Sequence, residues 1–193
     1  MTTQPAPTRR LFVSMMVSLD GFIEGTNREL DWTPQDDPEF DQYCDEMIDS
    51  IDLALFGRRS YEMMVGYWPT AEHPPRSPNE QAFARKMNAL PKIVLSRTLD
   101  HAAWANTRVE RDASAIAAVK REPGKAIAVW GGAGIIASLA KLGLIDEYRV
   151  IVHPIVLGSG TPLFQDVDGR RALTLTRATT LRSGLALLYY QPA

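Results

Sequence analysis

Apolar residues in this chain come in short blocks, each broken off by a glycine, a proline or a cluster of polar side chains. Leu11 to Val17 is such a block; the turn-forming pair Asp20-Gly21 closes it, which reads as a buried strand entering a loop. Asp36, Asp37 and Pro38 have the chemistry of a cap and first helical turn. Phe40, Tyr43, Met47 and Ile48 then recur at helical spacing, which predicts a helix to about Ser50. A second buried strand, Ile51 to Phe56, ends in Gly57 and opens onto the short helix "RRSYEMM". Ser77-Pro78-Asn79-Glu80 has the pattern of a capping box and predicts a helix from Pro78 to Ala89, followed by the strand "KIVLS".

The second half repeats the alternation. Asp112 caps an alanine-rich helix to about Lys120, and "KAIAVW" is a strand. Ile135, Ile136, Leu139 and Leu142 form one helical stripe stopped by Gly143. Arg149 to Leu157 reads as a strand, and Leu173 to Tyr190 as two strands meeting near Ser183-Gly184. Strands separated by helices imply parallel pairing with both faces covered, and the last pair, with no helix between, implies an antiparallel edge. The apolar stretch "LALLYYQ" is expected at that edge, covered by a second subunit.

Composition narrows the class. A chain of 193 residues, 45% hydrophobic, suffices for one sizeable core, so residues 9 to 193 are expected to form a single domain behind a disordered tail over 1–8. A net charge of -2 supplies no basic field for nucleic acid. No stretch reaches the roughly 20 apolar residues of a membrane span, and polar Ser14, Ser18 and Asp20 spoil any signal-peptide reading of the start; the expected location is cytoplasmic. One cysteine, Cys44, and three scattered histidines give no metal-binding pattern.

Three polar clusters sit where apolar strands end: Gly57-Arg58-Arg59-Ser60, Ser96-Arg97, and the run Gly131, Gly132, Ala133, Gly134, Ile135 after Trp130. Ligands of open α/β sheets bind beyond the carboxyl ends of strands, and arginine at a helix start opposes the helix dipole unless an anion lies between. The run from Gly132 also matches G-x-G-x-x-A, but it comes too late in the chain for a full doubly wound nucleotide-binding half. Met15, Met16, Met47, Met63 and Met64 read as core filler.

In their order, "SLDGFI", "LFGRRSYE", "IVLSR", "VWGGAGI" and "DEYRVIVHPIVLGSGTPLF" resemble the dihydrofolate reductase-like superfamily. The set is most similar to the family that includes the reductase domain of the bifunctional riboflavin-biosynthesis deaminase/reductase and its stand-alone relatives. The resemblance implies a three-layer α/β fold, a homodimer, and NADPH-dependent reduction of a small heterocycle or ribosylamino-pyrimidine. It places the cofactor on Arg58, Arg59, Ser60, Ser96, Arg97 and the glycine run. The loop starting Asp20, Gly21, Phe22, Ile23 and the side chain of Trp130 would lie against the nicotinamide, with Trp32 toward the substrate. The catalytic carboxylate would be Asp37 by counting from Trp32, or Asp36 by counting from Pro34. Leu90 stands where a folate-gripping arginine would fall and Ile151 where a supporting hydroxyl would, which disfavours folate. Lys92, Arg76 and Arg85 are the cations offered for a ribose phosphate. A nucleotide-sensing module without turnover is the second reading.

Overall fold

The computed structural model describes residues 8–33, 37–71, 78–167 and 169–193. In chain order its elements are β1 (Leu11–Ser18), β2 (Phe22–Glu24), α1 (Pro38–Asp49), β3 (Ile51–Gly57), α2 (Arg58–Val65) and α3 (Pro78–Ala89). There follow β4 (Lys92–Leu95), β5 (Thr107–Glu110), a 3-10 turn at Ala113–Ala115 leading into α4 (Ile116–Val119), β6 (Ala126–Trp130) and α5 (Ala133–Lys141). The chain closes with β7 (Glu147–His153), β8 (Thr161–Pro162), β9 (Leu173–Thr180) and β10 (Ala186–Pro192).

Eight strands form one sheet in the order β5-β4-β3-β6-β1-β7-β10-β9, and β2 pairs with β8 beside it. The run from β5 to β7 is parallel; β10 joins β7 antiparallel, and β9 joins β10 antiparallel. This is the α/β architecture with an antiparallel C-terminal edge that the sequence pattern implies. Both faces are buried, so adjacent residues of one strand serve different cores. Val13, Leu55, Ile127 and Val129 pack under Ile135, Ile136 and Leu139 of α5. Phe12, Phe56, Ala128 and Trp130 pack on the other side, against Met47 and Ile48 of α1, Tyr61 of α2 and Met87 of α3.

Four sequence expectations change. β2, β5 and β8 are too short to announce themselves; β2 and β8 pair with each other across the chain, and β5 pairs with the preceding strand β4. β7 begins at Glu147 and stops at His153, because Pro154 has no N–H to continue the ladder. The alanine-rich helix shrinks to the 3-10 turn and the single turn of α4. "LALLYYQ" is not the edge: β10 lies between β7 and β9, with Leu185, Leu187 and Tyr189 buried on Ile151 and α1, and the exposed edge strand is β9. Among the described residues no helix is long and apolar enough to cross a membrane. The expected tail, apart from Thr8, lies outside the described residues.

Candidate active site

β3 and β6 are neighbours in the sheet, yet the helices that follow them leave on opposite faces: α2 onto the side of α1 and α3, α5 onto the other. Chain direction therefore diverges beyond the ends of these two strands and leaves a crevice, the usual place for a ligand in an open α/β sheet. A cleft of about 1490 Å³ opens there. A single small-molecule site takes roughly 300–1,000 Å³, so this one has room for two ligands side by side.

One half is built for an anion. α2 starts at Gly57 and α5 at Gly132, and neither has a side-chain cap, whereas α1 has Asp37. Their first N–H groups are left to whatever occupies the cleft. Arg58 is spent on Glu62 (2.7 Å) and the Thr98 hydroxyl (2.6 Å). Arg59 and Arg97 also line the cleft and have no hydrogen-bond or ion-pair partner among the described residues. The Ser96 hydroxyl accepts from the N–H of Leu99 and fixes the bend after β4. The residues present thus fit the phosphates of a dinucleotide.

The glycine run divides its duties. Gly131 (φ +91°) donates its N–H to Met15 Sδ at 3.1 Å, and a Cβ there would collide with Ser60. Its lack of a side chain serves packing between α2 and β6. Gly132 takes φ +83°, and Gly134 lies in the first turn of α5 with nothing within 4 Å of where its Cβ would stand.

The other half lies between α1, α2 and α3, and most of its wall is apolar. Ser14, Met16, Trp130 and Ile151 form its floor. Phe40, Cys44 and Met47 reach in from α1, while Met63, Met64, Phe83 and Met87 come from α2 and α3. The methionines that read as filler include wall residues of this cleft: core and apolar cavity ask for the same chemistry, and only the sheet order separates them. Burial, with Asp41 and Asp45 alongside, pushes the Cys44 thiol up to about 12, so it is a protonated wall atom.

Several expected site residues lie elsewhere. The Asp37 carboxylate accepts from the N–H of Glu39 and Phe40 (3.1 Å each) and is absent from the cleft lining. Burial raises its pKa, but the Ser183 hydroxyl and these two N–H groups outweigh that and hold it below the usual carboxylate value. Asp41, one turn on, does line the cleft, and the sequence reading missed it; the signal was the four-residue helical step from Asp37. Asp36 lies outside the described residues. Asp20 braces the end of β1, accepting from Ser18 Oγ (2.6 Å) and from the N–H of Leu157 and Gly158; the Ser18 bond leads in lowering its pKa. Gly21 and Phe22 stay with it outside the lining, and Ile23 enters. Trp32 packs edge-on against His153 at 4.9 Å and donates its indole N–H to the Glu29 carbonyl. Lys92 is buried at the opposite end of β4, with Nζ donating to the carbonyls of Asn88, Leu90 and Ala105. Arg85 is outside the lining and Arg76 outside the described residues.

A parallel α/β sheet with an antiparallel edge and a two-part cleft at its switch point is the plan of the dihydrofolate reductase-like proteins. Dihydrofolate reductase from Enterococcus faecalis, solved with NADP(H), matches it with a TM-score of 0.60 at 16% identity, over 95% of this chain and 96% of that one. Residues 9–187 match the RibD C-terminal domain, and the chain belongs to that family. Protein YyaP of Bacillus subtilis (strain 168) is 36% identical over 186 residues, 94% of each chain. A Thermotoga maritima diaminohydroxyphosphoribosylaminopyrimidine deaminase/5-amino-6-(5-phosphoribosylamino)uracil reductase matches with a TM-score of 0.65 at 13% identity, over 96% of this chain but 57% of its own.

Proposed function

We propose that this protein is an NADPH-dependent reductase of a small heterocycle, related in chemistry to the riboflavin-type reductases. The observation that carries the reading is one cleft with two unlike halves: uncapped helix starts beside Arg59 and Arg97, and an apolar hollow beyond them. Membership of the RibD C-terminal family and the Thermotoga reductase's likeness in fold support the same direction. NADPH, when bound, supplies the hydride. The chain's own residues bind its phosphates through the starts of α2 and α5, exclude water with the methionine walls, and hold Asp41 where a proton can pass toward the acceptor. The reading takes the chain as a homodimer.

Arg59 and Arg97 are the expected basis for choosing NADPH over NADH, since hydrogen bonds to charged groups contribute about 1.5–3 kcal/mol. In titrations at fixed salt NADPH should bind at least tenfold more tightly than NADH, and Arg59→Ala with Arg97→Ala should erase most of the difference. Equal affinities for the two cofactors in the unmodified protein would sink the assignment.

A further inference from the structure

Taking the hollow between α1, α2 and α3 as the acceptor half, as proposed above, we infer that Trp130 and Ser14 are its specificity-determining residues: from the floor they donate hydrogen bonds to a carbonyl oxygen or an unprotonated ring nitrogen on the edge of a flat heterocycle. The indole donors carry the inference. Of the four tryptophans in the chain, Trp32 donates to the Glu29 carbonyl (3.2 Å), Trp68 to Met64 Sδ (3.1 Å) and Trp104 to Asn88 Oδ1 (2.7 Å). Trp130 lines the cleft, is 7% exposed, and its N–H has no acceptor among the described residues. Buried donors in folded proteins are almost always paired, so this exception asks for a partner from outside the chain.

Ser14 stands beside it. The two are matched in register across β1 and β6, two residues beyond the pair Phe12 and Ala128, so their side chains leave the sheet on that same face, toward the helices α1 to α3. Among the described residues the Ser14 hydroxyl reaches only the Tyr43 hydroxyl, at 3.5 Å, the outer limit of a hydrogen bond. Phe56 packs on the Trp130 ring at 6.0 Å, and Tyr43 is stacked on Phe40 at 6.0 Å, so neighbours hold both groups in place. Around them the floor is apolar, formed by Met16 and Ile151. An indole N–H can only donate, so the ring edge above it must accept. A site of this kind rejects an analogue that lacks the matching group, because its own buried donor is then left unpaired.

Quinoxaline and naphthalene, alike in shape and different in two ring nitrogens, test this. Bound fractions would be measured by equilibrium dialysis at one low free concentration, with the cofactor-free protein and, in parallel, with the protein saturated with NADP+, which has no hydride to give. The quinoxaline-to-naphthalene ratio should fall about fivefold or more in Trp130→Phe and in Ser14→Ala while naphthalene is still bound, a change that a merely distorted cleft would not give. An unchanged ratio in Trp130→Phe overturns the proposal, as does failure of the parent protein to bind either ring; should Trp130→Phe not fold, an unchanged ratio in Ser14→Ala overturns it. If NADP+ lowers the parent's ratio to that of the variants, the donors serve the nicotinamide and the proposal falls. Should NADP+ not bind while the cofactor-free ratios fall as expected, the cofactor reading fails and this one stands.

Discussion

Gly134 isolates the cofactor question better than its neighbours do. Gly131 and Gly132 both take positive φ, so any side chain there strains the fold whatever it does to a ligand. Gly134 is helical, exposed, and faces open cleft where its Cβ would stand. Valine costs no more than glycine inside a helix, both lying within about 1 kcal/mol of alanine. Gly134→Val should therefore leave the melting temperature within a few degrees of the parent while NADPH affinity falls tenfold or more. A variant with the parent's stability and the parent's affinity would show that the start of α5 does not touch the cofactor.

At the scale of elements, α1 divides its acidic residues between fold and cleft. Asp37 is committed to the first N–H groups of the helix, and a residue that caps cannot also reach the cleft one turn away. Asp37→Ala should cost about 1 kcal/mol in chemical denaturation, with kcat/KM for an identified acceptor nearly unchanged. Asp41→Asn should do the reverse, lowering kcat about a hundredfold, at the low end of general acid–base contributions, with folding and NADPH affinity kept. If Asp37→Ala abolished turnover in a stable protein, the roles given to the two residues would have to be exchanged. The same contrast explains what the sequence made legible. Helix starts, the buried central strands and the glycine turns are local chemistry, and they stand close to where the pattern put them. β2 and β8 exist through each other across the length of the chain, and β5 is a four-residue strand with one apolar residue, so those strands were silent. Which of Asp37, Asp41 and Asp45 face the cleft is decided by how α1 seats its Met47 and Ile48 on Phe12 and Phe56 of the sheet, not by residue type.

At the scale of the whole molecule, the described residues leave the β9 edge of the sheet uncovered. β9 is an edge strand of eight residues, seven of them exposed, and natural sheets rarely leave such an edge free. Leu175 pairs with Tyr190 and Tyr190 with Tyr148, which aligns apolar side chains across β9, β10 and β7. Phe164 packs edge-on against Tyr148 at 5.8 Å, and Phe164, Leu173 and Leu175 stay 37–50% exposed. The argument for a second subunit therefore rests on this stripe and on β9, because β10 is already paired on both sides. A second copy meeting the first along the stripe would bury the exposed leucines and the ring of Phe164, with each buried aliphatic side chain contributing about 1.5–3 kcal/mol. Sedimentation at micromolar concentration should give a dimer for the parent chain, and Leu175→Lys, which places a charge in the middle of the stripe, should give a monomer with the parent's far-UV spectrum. A parent chain that sediments as a monomer would remove the second subunit from the proposed function; a Leu175→Lys variant that stays dimeric would move the contact to another face.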